Sequence, residues 1–181
     1  MEKKIRVAIN GFGRIGRAFL KISWERNDLE VVAINDLGTI DSLSYLLKYD
    51  TVYGKWNHNI EIQKGADGEK SFIVIDGKKI QYIQEKDTTK LPWKELEIDV
   101  VVESTGAFTS YDKSKFHIDC GAKKVVISAP SKGAESTTKG ETILLGINEE
   151  KFGSCDITSN ASCTTNAASP LISILHEAIR V

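Results

Sequence analysis

Residues 4–23, KIRVAINGFGRIGRAFLKIS, pass from an apolar run through three glycines into a helical pattern. KIRVAI (4–9) is a short apolar run rich in β-branched residues, the mark of a buried strand. It passes directly into Gly11, Gly13 and Gly16, spaced G-x-G-x-x-G, and then into a segment where Ile15, Phe19, Leu20 and Ile22 fall at helical spacing. A second apolar run, EVVAIN, ends at Asn35, and Asp36 follows it, about 20 residues past the last glycine. Alone, a glycine-rich turn says little. Placed between a strand and a helix in one βαβ unit, with an acid after the second strand, it reads as a dinucleotide-binding turn. The glycines let the backbone turn tightly and approach a pyrophosphate, whose charge meets N–H groups at the helix N-terminus. Asp36 can accept both hydroxyls of an adenosine ribose and would repel a 2′-phosphate, which favours NAD over NADP. The competing reading is a tight turn with a surface aspartate, and the ordered context outweighs it.

Outward from this unit, TIDSLSYLLKYD (39–50) reads as a helix with Thr39 or Asp41 as its N-cap. Between about Asn59 and Gln84 the pattern alternates with period two. NIEIQ, SFIVID and KKIQYIQ are interrupted by GADGEK and by Asp76-Gly77, a tight-hairpin signal, so an antiparallel insertion is expected here. Apolar strands return as IDVVVEST (98–105) and, after a helix near 112–120, as KKVVISAP (123–130). A polar loop, SKGAESTTKGE (131–141), leads to TILLGI and the short strand DITSN. Strands that are apolar on both faces and alternate with helices predict an α/β, doubly wound, mostly parallel sheet with a small antiparallel insertion.

With 24 Lys plus Arg against 25 Asp plus Glu in 181 residues, the formal charge of -1 gives no basic field for nucleic acid or an anionic membrane. No stretch approaches the roughly 20 apolar residues of a membrane span, and the N-terminal apolar run is too short for a signal peptide. Three cysteines without C-x-x-C spacing read as reduced thiols of a cytoplasmic protein, and no metal-ligand pattern occurs.

A last stretch, SNASCTTNAASPL (159–171), sets Cys163 among hydroxyl and amide side chains at the start of an apolar helical pattern. A helix start is an electropositive setting that favours a thiolate, with Ser162 or Thr164 as candidate caps. Taken together, INGFGRIGR (9–17), AINDL (33–37), KYD (48–50), PW (92–93), VVESTGAF (101–108), ISAP (127–130), GIN (146–148) and SNASCTTN (159–166) resemble the phosphorylating glyceraldehyde-3-phosphate dehydrogenases, from the first strand to the last helix.

That resemblance implies NAD as cofactor, with Asn10, Gly11, Gly13, Gly16 and the backbone of Arg14 and Ile15 at its phosphates and Asp36 at the adenosine ribose. It places Lys86 on the cofactor, at a position that is Arg in many members, and Thr105 and Ser128 toward the nicotinamide half. Cys163 is the implied nucleophile. It forms a hemithioacetal and then a thioester, which inorganic phosphate releases as an acyl phosphate; Ser162 and Thr164 supply phosphate-binding hydroxyls. The implied substrate is a phosphorylated aldehyde, and the implied assembly a homotetramer.

His176 shares the helix of Cys163 but stands 13 residues on, about 20 Å along the axis, whereas a thiolate–imidazolium pair needs about 3 Å. In the family the activating histidine lies beyond the position of Val181. The expectation is therefore an N-terminal fragment: residues 1–159 as the NAD-binding domain and 160–181 as the start of a catalytic domain. Such a fragment would bind NAD without turning over. Ala167 replaces a second cysteine found in many members, and the loop 131–141 is longer than usual. The erythrose-4-phosphate dehydrogenases share the same motifs, and a non-catalytic NAD-binding module is the alternative for the fragment alone. Aspartate-semialdehyde dehydrogenases also pair this fold with a cysteine, but SNASCTTN argues against them.

Overall fold

The computed structural model describes residues 3–66, 69–131 and 137–180. The first βαβ unit forms as the sequence predicts: β1 (Ile5–Asn10), α1 (Arg14–Ser23) and β2 (Leu29–Asn35). Next come α2 (Ile40–Lys48), a short hairpin of β3 (Tyr49–Asp50) and β4 (Gly54–Lys55), and the period-two strands β5 (Ile60–Gln63), β6 (Ser71–Ile75) and β7 (Lys78–Ile83). The second half contributes β8 (Val100–Glu103), α3 (Tyr111–Ser114), α4 (Phe116–Asp119), β9 (Lys124–Ile127), β10 (Gly140–Thr142), β11 (Ile157–Ser159) and α5 (Cys163–Ile179).

Nine strands join in one sheet, ordered β10-β11-β9-β8-β1-β2-β7-β6-β5. Every pairing from β10 across to β7 is parallel, and the last two, β7 with β6 and β6 with β5, are antiparallel. The antiparallel run thus extends one edge of the main sheet. Alternation along β1 and β2 covers both faces. Ile9 and Ile34 pack with Phe12, Leu20, Leu43 and Leu47 on one side. Ala8 and Ala33 pack with Trp93, Ile98 and Val101 on the other. After β1 the chain winds first toward β2 and later toward β8, β9 and β11, so the winding direction reverses between β1 and β8. Open α/β sheets bind ligands at such a point, outside the carboxyl ends of their strands.

Local chemistry sets the turns. Asp76 and Gly77 both have positive φ (48° and 81°), the geometry of a two-residue hairpin that pairs Ile75 with Lys78. Thr39 caps α2 by accepting from the Ser42 N–H. That helix stops at Lys48, two residues before the end of the segment read as helical, because the Asp50 carboxylate accepts from the N–H groups of Val52 and Tyr53 and starts a turn. The helix expected near 112–120 is split at Lys115. The short strand β10, Gly140–Thr142, ends at the first residue of TILLGI, with Ile143 and Leu144 buried just past its end. Within the long polar loop, residues 132–136 lie outside the described residues, as do residues 67 and 68 of GADGEK; Thr137 and Thr138 donate to Asp112.

Candidate functional site

At the winding reversal lies a cleft of about 470 Å³, lined by Asn10, Gly11, Gly13, Asp36, Lys86 and Thr105 together with Leu37, Thr88 and Phe108. The three glycines do three different jobs. Gly11 has φ +92°, and a Cβ there would stand 2.5 Å from the Thr105 nitrogen, so the turns after β1 and β8 meet backbone to backbone. A Cβ on Gly16 would lie 2.2 Å from the Gly11 carbonyl oxygen, which lets α1 press against the turn it follows. Around Gly13 there is nothing within 4 Å, leaving the backbone open to an incoming group. Gly13 is also the N-cap of α1 and makes no side-chain cap. The first-turn N–H groups of Arg14, Ile15 and Gly16 therefore have no partner within the helix, as helix geometry requires.

Asp36 has partners within the chain that the sequence reading did not assign. Its two oxygens accept from Phe12 N (2.6 Å) and Gly38 N (2.7 Å), clamping the glycine turn to the end of β2. A carboxylate has about four acceptor sites, so it can still take ribose hydroxyls. The loop carrying Lys86 is pinned by Asn35, whose amide accepts from Glu85 N and donates to Glu85 O. Asn10 lines the cleft with its amide already engaged: it donates to Glu103 at 2.6 Å and accepts from Asn35 at 2.8 Å.

Sequence reasoning missed the buried group beneath this floor. Glu103 (2% exposed) and His117 (0%) face one another at 3.1 Å, and Trp93, also fully buried, donates to His117. Separations of 14 and 24 residues carry no local pattern that could have found them. Burial holds the His117 pKa below the ordinary histidine value, against the opposing pull of Glu103. The sign of its pH effect follows. The unfolded chain takes up a proton near pH ~6.5 that the folded His117 refuses until a lower pH, so stability is complete above ~6.5 and falls as pH drops toward the folded value. From pH 7 to 5.5 the free energy of unfolding measured in urea is expected to fall, by at most about 1.4 kcal/mol per pH unit from this one proton, and His117→Gln should flatten that fall. Equal slopes in the two chains would contradict the assignment.

Cys163 is exposed and opens α5. Of the two candidate caps, Ser162 is the one used: its hydroxyl accepts from Thr165 N at 3.0 Å and also meets the hydroxyls of Thr164 and Thr165. Ala161, at φ 61°, turns the chain sharply out of β11 into the helix. Because β11 runs parallel to β9, β8 and β1, Cys163 emerges on the same sheet edge as the cleft.

Among the predicted site residues, Asn10, Gly11, Gly13, Asp36, Lys86 and Thr105 come together in the cleft. Gly16 packs beneath it, and the side chains of Arg14 and Ile15 line a neighbouring hollow with Asp50. Ser128 follows directly on β9, its N–H donating to Glu103 O. Ser128, Ser162, Cys163 and Thr164 are not part of the cleft lining. His58 is paired with Asp76 at 2.6 Å, and His176 sits in the last turn of α5. Among the described residues no cluster of metal-ligating side chains occurs, and no helix is long and apolar enough to cross a membrane.

The cleft suits a dinucleotide. An open glycine and first-turn N–H groups without partners inside the helix can meet a pyrophosphate, and a carboxylate with acceptor capacity stands at one side. Comparison with known proteins agrees. The family model "Glyceraldehyde 3-phosphate dehydrogenase, NAD binding domain" matches residues 5–111. A glyceraldehyde-3-phosphate dehydrogenase of Eremothecium gossypii is 47% identical over 174 residues, 96% of this chain and 49% of that protein. The cytosolic enzyme of Trypanosoma brucei brucei is 46% identical over 173 residues, again 96% and 49%. That of Thermotoga maritima is 46% identical over 175 residues, 95% and 49%. The chain thus spans about half the length of the curated relatives it matches. With its sheet, its glycine turn and these relatives in agreement, the chain belongs to the glyceraldehyde-3-phosphate dehydrogenase family and carries that family's NAD-binding domain.

Proposed function

We propose that this chain is the N-terminal half of an enzyme that oxidises and phosphorylates glyceraldehyde 3-phosphate to 1,3-bisphosphoglycerate. The observation that carries the reading is an exposed cysteine at a helix start, on the sheet edge that also holds the dinucleotide cleft. On this reading residues 1–159 are the NAD-binding domain and 160–181 begin the catalytic one; β11 ends at Ser159, and no residue of α5 is buried.

The roles divide by position. Backbone groups of Gly11, Gly13, Arg14 and Ile15, beside Asn10 and over Gly16, hold the pyrophosphate at the start of α1. Asp36 takes the adenosine ribose, while Lys86, Thr105 and Ser128 bear on the rest of the cofactor. NAD supplies the hydride acceptor. The Cys163 sulfur attacks the aldehyde carbon, and the resulting hemithioacetal loses hydride to become a thioester. Phosphate oxygen then displaces the sulfur, leaving an acyl phosphate and a regenerated thiolate. The hydroxyls of Ser162 and Thr164 donate to substrate or inorganic phosphate.

Within the chain itself Cys163 has no imidazole beside it: His58 is held by Asp76, His117 is buried, and His176 lies at the far end of α5. That geometry supports NAD binding without turnover by these 181 residues alone. We propose a cytoplasmic homotetramer for the whole enzyme; what supports the cytoplasmic location is the cytosolic trypanosome relative.

The test is NAD reduction by a polypeptide of the relatives' length. Rates that require both glyceraldehyde 3-phosphate and inorganic phosphate are expected. Phosphate-independent reduction would overturn the reaction, and a preference for erythrose 4-phosphate would change the substrate.

A further inference from the structure

The buried line beneath the cleft ends on a residue that faces it. Indole N–H can only donate, so the Trp93 nitrogen, 2.9 Å from His117 Nδ1, requires that ring nitrogen to be bare. The proton of the neutral imidazole is therefore on Nε2, which donates to Glu103 Oε2 at 3.1 Å, where the Asn10 amide also donates. A carboxylate only accepts. The other oxygen of Glu103 therefore takes the Thr105 N–H (2.8 Å) and fixes the Thr105 hydroxyl, in close contact with it, as a donor pointing inward. Ala107 N donates to the same hydroxyl oxygen at 3.1 Å. With its proton and one lone pair committed, Thr105 has a single lone pair left for anything in the cleft it lines.

We propose that Glu103 is a positioning residue, held by His117 and Trp93, that fixes Thr105 as a hydrogen-bond acceptor at the cleft. The ligand group opposite must then be a donor, a ribose hydroxyl or a carboxamide N–H, and not a phosphate or carboxylate oxygen. The inference rests on the reading of the cleft as the NAD site. It also accounts for a carboxylate where an apolar residue would be cheaper to bury: burial of a charge is tolerated when hydrogen bonds meet it, and four donors meet this one.

A double-mutant cycle on NAD affinity, measured by calorimetry on the 181-residue chain, tests it. Thr105→Val should weaken NAD about tenfold, the size of one hydrogen bond, while Thr105→Ser stays within about twofold. Glu103→Gln should cost about five- to tenfold with Thr105 present and less than about twofold in the Thr105→Val background. Equal losses in both backgrounds overturn the proposal, since a merely structural carboxylate would weaken both alike. Should Glu103→Gln fail to fold, Trp93→Phe keeps the carboxylate and releases the imidazole, and the same cycle with Thr105→Val decides between the same outcomes. If the unmodified chain does not bind NAD, the reading of the cleft falls, and the proposal with it, before any variant is compared.

Discussion

Gly16→Ala is expected to unfold or severely destabilise the chain, while Gly13→Ala leaves it folded and weakens its binding of NAD. At Gly16 the added methyl would stand 2.2 Å from the Gly11 carbonyl oxygen, 3.0 Å from Ile9 Cγ2 and 3.1 Å from Ser104 Oγ. The first of these is backbone of the glycine turn, so α1 must back away from the sheet. Phe12 and Leu20, both 0% exposed, would lose their packing. A cost of about 2–5 kcal/mol is expected, comparable with opening a cavity in a core. At Gly13 nothing lies within 4 Å, and φ is -70°, a value alanine adopts readily. Alanine is a clearly poorer N-cap than glycine, so a loss of stability of about 1 kcal/mol is expected, too small to unfold the chain. The methyl would nevertheless occupy the space through which a phosphate reaches the helix N-terminus, and NAD affinity should fall at least about tenfold. Urea midpoints and NAD titrations on the two variants check this. A stable Gly16→Ala, or a Gly13→Ala with unchanged affinity, would show that the three glycines are wrongly assigned.

The second large effect concerns the thiol. In a polypeptide of the relatives' length, Cys163→Ser is expected to lower turnover by a factor of about a thousand or more, as removal of a nucleophile does. NAD affinity should change less than about twofold, because Cys163 is outside the lining of the cleft. Serine fills almost the same space and preserves the helix start, whose cap is the Ser162 hydroxyl. A lost rate with intact binding would thus report chemistry and not structure. Turnover that survives the substitution would remove Cys163 from the mechanism.

Where chemistry is local, the sequence could be read directly. The glycine turn, the α2 cap and the Asp76-Gly77 hairpin each depend on a few neighbouring residues; the turn and hairpin form as expected, and of the two cap candidates Thr39 is the one used. The end of α2 was misread because one side chain, Asp50, captures two N–H groups ahead of it and outcompetes the helical pattern. Asp36 was legible as an acid after the second strand, but its clamp on Phe12 N was not, since that contact spans 24 residues. Glu103, His117 and Trp93 were illegible for the same reason. Each is unremarkable in its own segment, and only the winding of the sheet brings the three together beneath the cleft.

If NAD lies in the cleft at the strand ends with Asp36 on its adenosine ribose, calorimetric titration of the 181-residue chain with NAD and with NADP should show one saturable NAD site, NADP weaker by about tenfold or more through repulsion between its 2′-phosphate and the Asp36 carboxylate, and a narrower gap in Asp36→Asn. Absence of NAD binding, or equal affinity for the two cofactors, would contradict that placement.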